Sequence, residues 1–170
     1  MANVLFLVGS LREGAFSAEL AKSAEKALEG KATVSYLDWK DVPVFSQDLE
    51  ADAPAAVKAA RAAVLAADAI WIFSPVYNAG IPGSVRNLLD WLSRALDLSD
   101  TTGVSAINEK VVTVSISSFA HQDEAAVEYR KLLPFIRTSL VDEFTLATIG
   151  APVDEAQLAK QADVLLAAIN

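Results

Sequence analysis

The sequence predicts a doubly wound, three-layer α/β fold, and three observations carry that prediction. Short apolar runs of strand length alternate with stretches whose apolar residues recur at helical spacing. Those runs are apolar at consecutive rather than alternate positions, as expected of strands covered by helices on both faces of a parallel sheet. Loops punctuated by glycine and proline follow the first and third runs, at the strand ends where open α/β sheets bind their ligands.

Taken in order, residues 4–8 form the first strand, and Phe16, Leu20, Ala24, Ala27 and Leu28 then recur at helical spacing up to Gly30. Residues 32–37 read as the second strand. Residues 54–67 read as a helix begun by Pro54, whose fixed φ suits a first turn, and residues 69–73 as the third strand. Ile81, Val85, Leu88, Leu89, Leu92 and Leu96 make one helical stripe, and the polar stretch 98–108 with Gly103 is a longer excursion. Residues 111–116 are a buried-type strand, and 123–133 a helix expected to stop before Pro134. Residues 141–149 form the fifth strand, and 153–169 a closing helix with Leu158, Ala162, Leu165 and Ile169 on its apolar face. Right-handed crossovers then place helices on both sides of the sheet. For five strands at this length the expected order is the flavodoxin-like 2-1-3-4-5, with its switch point between the first and third strands.

A chain of 170 residues is long enough for one domain, spanning 1–170, and too short for two sizeable ones. With 53% hydrophobic and 21% charged residues it carries a substantial core. A net charge of −8 disfavours nonspecific contact with nucleic acid or an anionic membrane, so any bound anion needs a local site. The absence of cysteine excludes a disulfide framework, thiolate metal sites and cysteine nucleophiles. One histidine and scattered carboxylates offer no metal constellation. The N-terminus lacks a signal-peptide layout and Asp68 breaks the longest apolar stretch, at 62–73, so a soluble cytoplasmic protein is expected.

The loop after the first strand, Gly9-Ser10-Leu11-Arg12-Glu13-Gly14-Ala15-Phe16-Ser17, has the makings of a phosphate site. Amides at a helix start carry partial positive charge, Ser10 and Ser17 add donors, and Arg12 supplies a fork for two phosphate oxygens. It lacks the three-glycine dinucleotide spacing and the Walker lysine. Taken alone it reads equally well as a helix capped by Ser17 beside a surface arginine. The loop after the third strand, Pro75-Val76-Tyr77-Asn78-Ala79-Gly80-Ile81-Pro82-Gly83, sets an aromatic and an amide between prolines and glycines, as a wall for a flat ligand would. Its bland reading is an aromatic that covers the sheet beside a turn-forming Asn78.

Together Gly9-Ser10-Leu11-Arg12, Pro43-Val44-Phe45-Ser46-Gln47-Asp48-Leu49-Glu50 and Pro75-Val76-Tyr77-Asn78, followed by Pro82-Gly83-Ser84-Val85-Arg86-Asn87-Leu88-Leu89-Asp90-Trp91-Leu92-Ser93-Arg94, resemble the NADPH-dependent FMN reductase family. The match runs in order through roughly the first hundred residues. The resemblance implies a flavodoxin-like fold that binds FMN without a covalent bond, takes electrons from NAD(P)H and passes them to a quinone, free flavin or similar acceptor, as a homodimer or homotetramer. By position it implies Ser10, Arg12 and Ser17 on the FMN phosphate and Pro75, Val76, Tyr77 and Asn78 along the ring. No side chain need act as a catalytic residue, because the cofactor carries the chemistry.

The chain departs from the family pattern at Ala15, where a hydroxyl is common, at Ser17, where asparagine is frequent, and at Val76, where glutamate is frequent. After the fourth strand Ser115-Ile116-Ser117-Ser118-Phe119-Ala120-His121-Gln122 replaces a glycine-rich turn. Ser117, Ser118 and His121 are candidates for the polar edge of the ring, with Phe119 covering it or lining a substrate pocket. Against that stands a helix start capped by Ser118 or Gln122 with His121 exposed and idle, the favoured reading over His121 as an acid or base. Two other classes stay open: a flavodoxin-type electron carrier, disfavoured by the Ser10 and Arg12 pattern, and a noncatalytic module that has lost flavin binding.

Overall fold

Consecutive apolar residues along each central strand build two cores, one on each face of the sheet. In the computed structural model, which describes residues 1–169, β1 (Ala2–Val8) sends Leu5 and Leu7 to one core and Val4 and Phe6 to the other. β3 (Ala69–Pro75) does the same with Ile70 and Ile72 against Trp71 and Phe73. The remaining strands are β2 (Ala32–Tyr36), β4 (Val111–Ser118), β5 (Ser139–Leu140) and β6 (Thr145–Thr148). All pairings are parallel and the order is β2-β1-β3-β4-β5, with β6 also on β4. This is the expected flavodoxin-like order.

Helices α2 (Ala55–Ala66), α3 (Gly83–Leu92) and α4 (Gln122–Phe135) cover one face through Val64, Val85, Leu88, Ala125, Tyr129 and Leu133. Helices α1 (Phe16–Ala27) and α5 (Glu155–Ala167) cover the other through Leu20, Ala24, Leu158, Ala162 and Leu165. Each fully buried valine or leucine among them contributes roughly 1.5–3 kcal/mol of transfer free energy.

Four expectations are corrected. The fifth strand is not continuous from 141 to 149. Its halves β5 and β6 both pair with β4, but two residues separate Val112 from Ser115 on β4 while four separate their partners Leu140 and Thr145. Two residues therefore bulge out, and the Thr113 hydroxyl fills the gap by donating to the Glu143 carbonyl at 3.0 Å. The bulge carries charge: Asp142 pairs with Arg130 at 2.7 Å and Glu143 with Lys160 at 3.0 Å. Hydrogen bonds from Lys160 and then Gln157 hold the Glu143 carboxyl below its ordinary range.

Helix α4 does not stop before Pro134 but takes it into its last turn. There Arg137, at φ 66°, closes the helix with bonds from its own N–H to the Pro134 carbonyl and from the Thr138 N–H to the Leu133 carbonyl. α5 begins at Glu155 rather than 153, because the Asp154 carboxylate accepts the Gln157 N–H at 2.9 Å and sets the cap there. Leu96 lies beyond α3, its N–H bonded to Val104 across a short pairing that orders the 98–108 excursion.

Beneath α5 the buried polar groups bond one another around Gln161. Gln161 accepts from Ser115 (2.9 Å) and Thr145 (2.6 Å) and donates to Thr113 (2.8 Å) and the Val114 carbonyl (2.9 Å). Trp71 donates to the same Ser115 hydroxyl at 2.9 Å.

Candidate functional site

Parallel strands of similar length end together, so the carboxyl ends of β1, β3, β4 and β6 share one edge of the sheet. There a cleft of about 210 Å³ gathers Ser10, Arg12, Ser17, Pro75, Val76, Tyr77, Ser117 and Ser118. Eight of the ten residues picked out in the sequence thus line one cavity. Asn78 and His121 are not among its lining residues, whereas Ala15, Phe16, Phe119 and Ile149 are. Ile149 carried no signal in the sequence, because its place depends on where the broken edge strand ends. Pro75, Ser117 and Ser118 are the last residues of β3 and β4, not loop residues, so rigid strand ends fix them.

The loop between β1 and α1 is held from beneath. Gly9 donates its N–H to the Phe73 carbonyl at 2.7 Å, and Trp39 donates to the Val8 carbonyl at 3.2 Å. A Cβ on Gly9 would lie 3.0 Å from Val85, 3.1 Å from the Phe73 carbonyl and 3.1 Å from Pro75, so glycine lets the two cleft loops touch. Above that anchor the loop leaves its polar groups free. Ala15, buried, gives α1 no side-chain cap. Ser17, only 1% exposed, has no hydrogen-bond partner for its hydroxyl among the described residues. The Arg12 guanidinium reaches the Gly14 carbonyl at 3.3 Å and lies 5.8 Å from the Phe16 ring centroid, with no carboxylate paired to it among the described residues.

The opposite wall is a tight hairpin. Tyr77 and Gly80 exchange backbone hydrogen bonds of 3.2 and 3.1 Å around Asn78 (φ 53°) and Ala79 (φ 58°). Two left-handed residues in succession make the turn type that joins strands most compactly, and they turn Asn78 outward. The Tyr77 hydroxyl stands 3.5 Å from the Ser10 hydroxyl, joining the two walls at the limit of a hydrogen bond. Below, the buried Tyr129 donates to Ser74 at 2.8 Å, and Ser74 donates to the Pro75 carbonyl at 2.7 Å. Burial pushes the Tyr129 phenol well above its ordinary ionisation range.

The third side is the end of β4. Ser117 is 4% exposed, and its hydroxyl also lacks a partner among the described residues. Gln122 secures the strand end by donating to the carbonyls of Ser118 (2.9 Å) and Ala147 (3.3 Å). Phe119, 74% exposed, meets Phe16 edge-to-face with centroids 6.3 Å apart. His121 takes the left-handed conformation (φ 65°) just before α4, and its Nδ1 lies 2.9 Å from Glu124. That hydrogen bond holds the Glu124 carboxyl below its ordinary range.

The segment 43–50 and the end of α3 bind each other rather than the cleft. The Pro43 carbonyl accepts from Asn87 (2.9 Å) and Trp91 (2.8 Å), the Asn87 carbonyl oxygen accepts the Phe45 N–H (2.8 Å), and Arg94 pairs with Glu50. Arg86 and Asp90 form no ion pair among the described residues. A larger depression of about 550 Å³ lies at the amino ends of β4 and β5, beside Asp68, Asn108 and Lys110. It is remote from every residue of the cleft, and Lys110 is already committed there to the carbonyls of Leu65 and Ala67. No group of three or more potential metal ligands occurs among the described residues.

The cleft therefore offers one cationic fork, two buried hydroxyls with free hydrogens, and walls of Pro75, Val76, Phe16 and Ile149. That set suits a ligand with an anionic end and a flat, largely apolar body. The family model of NADPH-dependent FMN reductase matches residues 2–151. Over 158 residues the chain is 30% identical to a quinone reductase of Escherichia coli (strain K12), covering 89% of this chain and 80% of that protein. A 2-hydroxy-1,4-benzoquinone reductase of a Burkholderia species is 33% identical over 91 residues, 54% of this chain and 50% of the other. Among solved structures, the flavoenzyme NAD(P)H:(acceptor) oxidoreductase of Paracoccus denitrificans superposes with a TM-score of 0.82 at 22% identity, over 99% of this chain and 97% of that one. At that identity the likeness concerns the fold.

Proposed function

This chain belongs to the NADPH-dependent FMN reductase family, and from that premise we propose that it carries electrons from NAD(P)H through FMN in the cleft to a quinone or free flavin. The observation that supports the site is the pair of buried hydroxyls without a partner among the described residues, Ser17 and Ser117, which both line a cleft that also holds Arg12. Buried hydroxyls are rarely left without partners, and these face a cavity where a ligand can supply them.

FMN fits that donor set. Its phosphate would meet Ser10, Arg12, Ser17 and the first amides of α1, where the helix dipole adds to the guanidinium charge. Ala15 contributes no hydroxyl, which leaves the arginine as the main electrostatic anchor. Pro75, Val76 and Tyr77 would lie along the ring, with Asn78 steadying the turn, while Ser117 and Ser118 would donate to its polar edge. His121, paired with Glu124, would support the loop from outside. Once bound, FMN supplies the redox chemistry, taking a hydride from NAD(P)H and passing the electron pair to the acceptor.

The protein's part is to hold the ring still and leave one face open. Phe16 and Phe119 rim the mouth and would exclude water from one side while giving an aromatic acceptor a surface to lie on. We read residues 1–170 as one domain that works in the cytoplasm as a homodimer or homotetramer, without nucleic acid or membrane partners. No helix among the described residues is long and apolar enough to cross a membrane.

The test is direct. Protein purified with added FMN should retain yellow flavin, and NADPH or NADH should bleach it in the absence of oxygen, with colour returning on addition of a benzoquinone. Bound flavin that NAD(P)H does not reduce would favour an electron carrier. No affinity for FMN would remove the proposal.

A further inference from the structure

We propose that Glu128 of α4 is a positioning residue that latches the Tyr77–Gly80 hairpin into the shape the cofactor meets. This rests on the cleft being the FMN site. Two successive residues of α4 grip the segment 74–81 at its two ends. Tyr129 holds the entry through Ser74 and the Pro75 carbonyl. Glu128 holds the exit, its Oε2 accepting the Ile81 N–H at 2.9 Å.

Between those grips the chain adopts a conformation it does not favour. Asn78 accepts the left-handed region readily, but Ala79, at φ 58°, has a Cβ and no compensating side-chain bond. Such a residue persists only where its surroundings over-determine it. Gly80 shows how closely the latch closes: a Cβ there would fall 2.8 Å from both carboxylate oxygens of Glu128. Gly80 has no left-handed φ to explain it, and a side chain there would have to push the carboxylate off its seat.

Only Ala120 and His121 lie between Phe119 and the start of α4, so one helix both follows the β4 rim of the cleft and grips the β3 rim. Glu128 itself does not line the cleft. Its effect on a ligand would be transmitted entirely by where it sets Val76 and Tyr77.

The test compares Glu128→Ala, Glu128→Gln and Gly80→Ala in the full chain, by FMN fluorescence titration and by amide hydrogen exchange measured without flavin. Losing a charge-assisted bond to a backbone amide should raise the FMN Kd about tenfold in Glu128→Ala and speed exchange at Ile81 by a similar factor. Glu128→Gln keeps an acceptor oxygen and should stay within about threefold of wild type in both measurements. Gly80→Ala should displace the carboxylate and reproduce Glu128→Ala, and the double variant should be no weaker than the single ones, because both break one contact. Wild-type Kd and wild-type Ile81 exchange in Glu128→Ala would overturn the inference, as would fully additive effects. A wild-type protein that takes up no FMN would instead remove the cofactor reading. The flavin-free exchange data then decide the latch by themselves.

Discussion

The two loops that face each other across the cleft are built on opposite plans. Between β1 and α1, polar groups are left free: among the described residues Arg12 lacks a carboxylate, Ser17 lacks a partner, and the helix start lacks a side-chain cap. Between β3 and α3 they are used up, in a closed hairpin, a tyrosine–serine chain and a carboxylate on a backbone amide. The first arrangement suits groups that must bind; the second suits groups that must stay in place while something else binds. A preorganised wall lowers the ordering cost of binding, and free donors supply its attraction.

Substitutions on either side can break that contrast. The largest effect is expected at Arg12→Ala, which should weaken FMN about ten- to a hundredfold in a fluorescence titration while leaving thermal stability within about 0.5 kcal/mol. Unchanged affinity would refute the phosphate site. Tyr129→Phe should do the reverse, costing about 1–2 kcal/mol of stability at neutral pH through the lost bond to Ser74. Because burial raises the folded-state ionisation of Tyr129 above the ordinary value of 10.0, wild-type stability is full below that value and falls as pH climbs past it. The phenylalanine variant has no such loss, so urea denaturation should show the gap between the two narrowing above about pH 10. The smallest effect is expected at Ser17→Ala, with flavin-free stability unchanged or raised by up to about 0.5 kcal/mol and FMN affinity down a few-fold. A clear loss of flavin-free stability would mean that this hydroxyl is bonded inside the protein after all.

Most of the architecture was legible because each element was dictated locally. The continuous apolar runs at 4–8, 69–73 and 111–116 announced strands covered on both faces, and with five strands the order followed. What local signals missed was decided by contacts distant in sequence. The break between β5 and β6 depends on Thr113 of another strand, and within 141–149 only the acidic pair Asp142-Glu143, which suits a solvated turn, hints at it. Pro134 looked like a stop, yet a proline in a final turn forfeits a single helical bond, which the closing turn at Arg137 accommodates.

At the site, Ser10, Arg12 and Tyr77 could be named from motif position, whereas Phe16 and Ile149 become neighbours only when α1 and the edge strand dock. His121 drew notice as the sole histidine, but its chemistry is taken up by Glu124 one turn along. The similarity of Pro43, Phe45, Asn87, Trp91 and Arg94 to a family pattern reflects their packing on one another. Sequence pattern alone cannot separate residues that recur for such docking from residues that recur for a ligand.

The buried Gln161 has a bearing on how the molecule assembles. Every hydrogen-bonding position of its amide that the structure fills is filled from β4 or β6. If α5 docked one turn out of register, that amide would be buried unpaired and the hydroxyl hydrogens of Ser115 and Thr145 would lose their acceptor, at about 1–3 kcal/mol each. The last helix can therefore seat only on a sheet whose broken edge has already formed correctly, which makes the end of the chain an all-or-none reporter of whether the sheet was built in register.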